Sequence, residues 1–204
     1  MAQLTQAFFE KILRMEGGFQ NRADDNGNWA CGQLVGTKYG VSAVAFSTWA
    51  GRCPTTDEMQ SLTEAQAWNF YAWYFDRYNL YPIESQTFFE LLANNTMGSP
   101  TNAARVEQRA LNKMGYPVQV DGVRGSATLA ALNAAWRENP SAIYNAVRSE
   151  WIKYLESLNK PQFLGGWIYR MDTFFPPMSA AVIGGGVALL LLLAVVLLKR
   201  RKKK

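Results

Sequence analysis

The chain has no histidine, only two cysteines and a modest 18% of charged residues. Without histidine, imidazole activation of a serine or cysteine nucleophile is excluded, and so is every histidine-ligated metal site. Cys31 and Cys53 are too few to complete a zinc site by themselves. Acid–base chemistry therefore falls to carboxylates, with Lys or Tyr as assistants, and no SxxK-type arrangement with supporting residues stands out. A basic body is missing too. The net charge of +5 rests on the run from Lys199 to Lys204, which holds six of the 21 Lys and Arg, leaving 15 against 16 acidic side chains. Nucleic acid is accordingly not expected as a partner. The opening residues, MAQLTQAFFEKILRM, lack the basic start, long apolar core and cleavage site of a secretory signal, and read as an amphipathic helix.

What is present suits one ordinary domain or a domain with a small companion: 204 residues, 49% of them hydrophobic. The pattern is mostly helical. SLTEAQAWNFYAWYFDRY has Thr63 and Gln66 at capping-box spacing, with Trp68, Tyr71, Phe75 and Tyr78 on or near one face. SQTFFELLANN, NAARVEQRALNKMG, SATLAALNAAWRE and SAIYNAVRSEWIKYLESL also read as helices. Strand signal is confined to short pieces such as QLVGTKYGV. Ser126 or Thr128 is expected to cap the helix after the Asp121-Gly122 turn. Pro161, Gly165, Gly166, Pro176 and Pro177 mark a hinge before Met178 to Leu198, an uncharged apolar run of 21 residues. As a helix this run is about 31 Å long, enough to span a bilayer. Its glycines, Gly184 to Gly186, could bring a second such helix close. The basic tail after it should face the cytoplasm, with the domain on the opposite side.

The candidate chemistry begins at RMEGGFQNRADDNG, residues 14–27. Phe8, Ile12 and Met15 share one side of the first helix, and Glu16 leaves it one turn after Ile12. Gly17 and Gly18 are natural terminators. The last turn of a helix, where the dipole disfavours a negative charge, suits a carboxyl whose task is to donate a proton. Asp25 follows after eight residues and could return to face Glu16, as the two carboxylates of a glycosidase do, although DDNG is also an ordinary turn sequence. Trp68, Tyr71, Trp73 and Tyr74 could stack on sugar rings, but a helix this aromatic is more often core.

EGGFQNRADDNG followed by TKYGVS resembles family 108 of the glycoside hydrolases, lysozyme-like N-acetylmuramidases, at Glu16, Gly17, Gly18, Phe19, Asp25, Gly27, Tyr39, Gly40, Val41 and Ser42. The Glu-x8-Asp spacing is also similar to that of phage lysozymes, which follow it with a threonine. The pattern departs at Asn28, where the family has a second glycine, and WACGQLVG, residues 29–36, looks like an insertion that would make Thr37 the threonine. ANNTMG, residues 93–98, resembles a family AVN-x-G element through Asn95. Downstream, EQRALNKMGYPVQVDGVRGSATLAALNA resembles a peptidoglycan-binding module, and FLGGWIYRM the C-terminal signature of these muramidases.

The resemblance implies a mainly α, lysozyme-like α+β fold, to which the apolar run adds a single C-terminal transmembrane helix. Its parts would be a catalytic region over 1–95, a peptidoglycan-binding-like region over 96–172 packed on it, a linker over 173–177, the span over 178–198 and the tail over 199–204. It implies a peptidoglycan muramidase with Glu16 as catalytic acid, Asp25 as second carboxylate, Thr37 as helper, and Tyr39, Tyr71 and Asn95 as substrate contacts. No metal or organic cofactor is implied. The partners would be bacterial peptidoglycan and, through residues 178–198, a lipid bilayer, with self-association through Gly184 to Gly186. Two rivals remain: a lytic transglycosylase on the same bond, and an inactive membrane-tethered wall-binding protein. The setting implied is a bacteriophage enzyme for host lysis or wall penetration, in a virion membrane or the bacterial inner membrane. The sequence leaves the pairing of Cys31 with Cys53 open and leans towards free thiols.

Overall fold

The computed structural model describes residues 1–179. They are mainly helical and divide into two compact units, Met1–Ala103 and a second beginning at Ala104. The expected membrane span and its Gly184–Gly186 segment lie outside the described residues, apart from Met178 and Ser179. Among the described residues no helix is long and apolar enough to cross a membrane.

In the first unit, helix α1 (Gln6–Glu16) starts where the Thr5 side chain accepts a bond from the Phe8 N–H, and ends at Gly17, whose φ of 72° turns the chain away. Its buried face carries Phe8, Phe9 and Ile12. Phe8 packs between Phe75 and Phe89 at ring separations of 6.2 and 5.9 Å, and Phe9 meets Trp68 edge-on at 5.2 Å. Burying each phenylalanine contributes about 2 kcal/mol, which fixes the helix that ends in Glu16. Those partners come from α4 (Glu64–Arg77), opened by the expected Thr63–Gln66 capping box, and α5 (Gln86–Gly98). Residues Leu91 to Thr96 of α5 are all buried, so it runs through the core.

Two tight hairpins fill the space between α1 and the next helices. Strand β1 (Trp29–Ala30) pairs with β2 (Gln33–Leu34), and β3 (Thr37–Lys38) pairs with β4 (Val41–Ser42). Both turns, Cys31-Gly32 and Tyr39-Gly40, have two consecutive residues at positive φ, as two-residue hairpins require. The segment read as an insertion is thus the first hairpin. Helices α2 (Ala43–Ala50) and α3 (Thr56–Ser61) follow. Cys31 and Cys53 are joined in a disulfide, correcting the leaning towards free thiols. The first hairpin turn carries Cys31 towards the loop after α2, a proximity that sequence spacing does not encode.

The second unit contains most of α6 (Pro100–Lys113), then α7 (Ser126–Glu138), α8 (Pro140–Ser157) and α9 (Pro161–Phe174). The buried Gln108 amide organises its central turn. The amide nitrogen donates to the Asp121 carboxylate at 2.7 Å, the Val123 carbonyl at 3.0 Å and the Thr128 hydroxyl at 3.2 Å, and its oxygen accepts from Gly122 N–H at 2.9 Å. The bond from Gln108, with the Val123 N–H, holds the Asp121 carboxyl below the usual carboxylate range. Thr128 therefore serves this turn, and α7 starts from Gly125 without a side-chain cap, contrary to expectation. Beside the turn, Arg124 makes two 2.6 Å bonds to Glu107, both side chains almost fully buried. Burial pushes the Glu107 carboxyl up, opposed by the guanidinium.

The hinge expected around Pro161, Gly165 and Gly166 is instead helix α9. Pro161 sits in its first turn, where no N–H is needed. Met171 and Phe175 are buried, and Arg148 of α8 donates to the Phe175 carbonyl at 2.8 Å and pairs with Asp172. These contacts offset the low helix propensity of the glycine pair.

Candidate active site

Glu16, half-buried at the end of α1, opens onto a cleft of about 370 Å³ lined also by Gly40, Ser42, Ala45, Phe70, Tyr71, Tyr74 and Met97. Glu16 is the only carboxylate among these lining residues. Its position against the second hairpin depends on Gly40, at φ +76°. A side chain there would meet Glu16 Cγ at 2.7 Å, Glu16 Cδ at 2.9 Å and the Tyr71 hydroxyl. The missing Cβ is what lets the carboxylate lie on the turn. Tyr71 is 1% exposed and donates to the Tyr39 carbonyl at 2.8 Å, so one wall of the cleft is anchored to the same turn. Tyr74 donates to the Thr96 carbonyl at 3.2 Å. Of the aromatic residues beside the cleft, Phe70 and Tyr71 are buried and Tyr74 is half-buried, so Tyr74 is the ring of this wall that a sugar can reach.

Asp25 has a different setting. It is exposed, caps the short 3-10 turn Asn26–Asn28 by accepting from Gly27 N–H at 2.9 Å, and accepts from the Gln20 amide at 3.0 Å. Its neighbour Asp24 is the one that pairs with Arg22, whose guanidinium holds that carboxyl below the usual range. Asn28, the departure from the family pattern, is fully buried and organises the segment. Its amide nitrogen donates to Gln20 Oε1 at 2.8 Å and to the Arg22 carbonyl at 2.9 Å. Its oxygen accepts from Gln20 Nε2 at 3.0 Å and from the Thr37 hydroxyl at 2.6 Å. A second glycine here would remove all four bonds.

Of the expected site residues, the structure brings Glu16 and Tyr71 to the cleft. Asp25 belongs to the adjoining loop, and Thr37 of β3 has its hydroxyl committed to Asn28 in that loop. Tyr39 contributes its backbone carbonyl rather than its ring, which lies under Lys38 Nζ at 5.0 Å. Asn95 is fully buried in α5 and is not on the cleft wall. Its place is taken by Met97, two residues on in the same helix. Ser42, Ala45, Phe70 and Met97 were not expected as site residues, and Tyr74 was only one of four aromatic residues that could stack on sugars. Ser42 lies within the YGVS segment and Tyr74 among the aromatic residues of α4, so a signal existed for these two.

Two families match. Residues 9–93 match Glycosyl hydrolase 108, and residues 102–172 match a family described as "Predicted Peptidoglycan domain". No curated protein sequence matches the chain. Among solved structures, "Structure of Brucella abortus SagA" is similar with a TM-score of 0.66 and 23% identity, over 86% of this chain and 99% of that one. At that identity the likeness speaks for the fold alone. The family matches and the single cleft carboxylate agree: the chain is a glycoside hydrolase, with a peptidoglycan-degrading glycosyl hydrolase 108 domain followed by a peptidoglycan domain.

Proposed function

We propose that the enzyme is an N-acetylmuramidase that cleaves the β-1,4 bond between N-acetylmuramic acid and N-acetylglucosamine. The observation that carries this reading is the Glu16 carboxylate, held on the cleft wall by a glycine that cannot be enlarged without striking it. Glu16 protonates the glycosidic oxygen as the bond breaks. Asp25, at the edge of the adjoining loop, is the second carboxylate, which activates water or offsets the positive charge developing on the sugar. The Thr37 hydroxyl supports that loop through Asn28.

Residues 178–198 would anchor the enzyme in a bilayer, either a virion membrane or the bacterial inner membrane, with the catalytic unit on the face opposite the basic tail. The uncharged run followed by KRRKKK supports this placement, and the disulfide accords with an oxidising side for the catalytic unit. A bacteriophage enzyme acting in wall penetration or lysis fits such an arrangement. Protease shaving of intact particles or spheroplasts tests it, and a protected catalytic unit with an exposed tail overturns it.

One observation favours a second reading. A cleft with a single carboxylate also suits a lytic transglycosylase, in which the muramic 6-hydroxyl replaces water. Both readings are tested with the full chain in mild detergent on purified peptidoglycan, with mass spectrometry of the products. Reducing muropeptides, and about a hundredfold loss in Glu16→Gln, are expected for the muramidase. Anhydro-ended products would identify the transglycosylase, and unchanged turnover in Glu16→Gln would remove Glu16 from both.

A further inference from the structure

We propose that Ser42 holds the attacking water, a role that rests on the muramidase reading above. Ser42 ends strand β4 and caps helix α2, its hydroxyl oxygen accepting the Ala45 N–H at 3.2 Å. A serine hydroxyl has one hydrogen and two lone pairs, so the cap engages one lone pair and leaves the hydrogen and the other pair for a water in the cleft that Ser42 lines. The other hydroxyls near the cleft are turned to protein partners. Tyr71 and Tyr74 donate to backbone carbonyls, and Thr37 donates to Asn28.

Ser42 is also near both carboxylates. It shares the cleft with Glu16, and it approaches the Asp25 turn. The point where a side chain on Gly27 would begin is 3.2 Å from Asp25 Oδ1 and 3.4 Å from Ser42 Cβ. Thr37 and Ser42 are direct partners in the β3–β4 ladder. The hydroxyl that a phage-lysozyme pattern assigns to Thr37 is thus supplied from the paired strand, because the Thr37 hydroxyl is bonded to Asn28.

In the resulting step the water oxygen bonds to C1 of the muramic residue while the bond from C1 to the bridging oxygen breaks. The Glu16 proton passes to that oxygen, and the proton released by the water passes to the Asp25 carboxylate. Solvent then returns both carboxyl groups to their starting states. No oxidant, reductant or further reactant is needed.

The test compares Ser42→Gly and Ser42→Thr in the full chain, measuring kcat, KM and Tm on soluble peptidoglycan fragments. Glycine removes the hydroxyl but is nearly as good a helix cap as serine, so Tm should move little. Turnover of Ser42→Gly should fall about a hundredfold, the scale of losing one directed donor at a reacting centre, with KM within about twofold. Ser42→Thr, which restores a hydroxyl, should recover most of that loss. If Ser42→Gly keeps its kcat while Glu16→Gln loses it, or if kcat falls only in step with Tm, the proposal is overturned and the muramidase reading stands. If the parent enzyme forms only anhydro ends, or cuts nothing, the muramidase reading fails and the water-holding role fails with it.

Discussion

Replacing Gly40 with alanine combines two effects that a control substitution can separate. At φ +76° an L-residue costs about 1 kcal/mol relative to glycine. The added methyl also lies within 2.9 Å of two Glu16 carbons and against the Tyr71 hydroxyl, and overpacking of this kind costs about 1–3 kcal/mol. Tyr71 is buried and tied to the Tyr39 carbonyl, so the half-buried Glu16 side chain is the one that must yield. Gly51 has a similar φ of +68° but nothing within 4 Å of its added methyl, so Gly51→Ala isolates the backbone cost. For a unit of this size each kcal/mol lowers Tm by about 4–8 °C. The expected losses are therefore about 5 °C for Gly51→Ala and roughly 10–20 °C for Gly40→Ala. Turnover of Gly40→Ala should fall roughly tenfold to a hundredfold through displacement of the carboxylate, whereas Gly51→Ala should turn over as the parent does. Thermal unfolding and steady-state kinetics on the full chain measure both quantities. Equal Tm losses in the two variants, with turnover intact in Gly40→Ala, would refute the claim that the turn presses on the catalytic carboxylate.

Two other substitutions test features away from the carboxylate. Reducing the Cys31–Cys53 bond frees a loop with a sequence separation of 22 and should destabilise the first unit by about 3 kcal/mol. A Cys31→Ser, Cys53→Ser double variant should melt at one temperature with or without reductant, and continued sensitivity to reductant would place the effect elsewhere. In the second unit, Glu107→Ala removes the carboxylate that neutralises the buried Arg124 and should cost about 3–5 kcal/mol, whereas Glu107→Leu with Arg124→Met should recover most of that. Equilibrium unfolding measures the difference, and equal losses would mean that the pair itself supplies the stability.

The longer helices were legible because their apolar spacing is regular. SATLAALNAAWRE coincides with α7, and the Thr63–Gln66 box opens α4 as its spacing indicates. Helices α2 and α3 went unread because eight and six residues hold too few turns for a period to show. The glycine pair in FLGGWIYRM reads locally as a break, yet it is helical because Met171, Phe175 and the bonds from Arg148 hold the segment in place. Glu16 could be found from its position before two glycines. The placing of the Asp25, Thr37 and Ser42 side chains could not, because it is set by one buried amide and by strand pairing. Asn95 was placed on the cleft for want of the same information: α5 is buried on all sides from Leu91 to Thr96, so a polar residue there need not face the cleft.

The four bonds of the Asn28 amide also constrain how this segment can change over generations. One side chain joins Gln20, the Arg22 carbonyl and Thr37, so a substitution at Gln20 or Thr37 takes bonds from the buried Asn28 amide, and one at Asn28 takes bonds from both. Effects of such changes will not add, and the loss from altering two positions will be smaller than the two single losses combined. The three positions therefore behave as one inherited unit. Placing glycine at residue 28 removes bonds from both of the other two, so a mutant library should vary the three positions together.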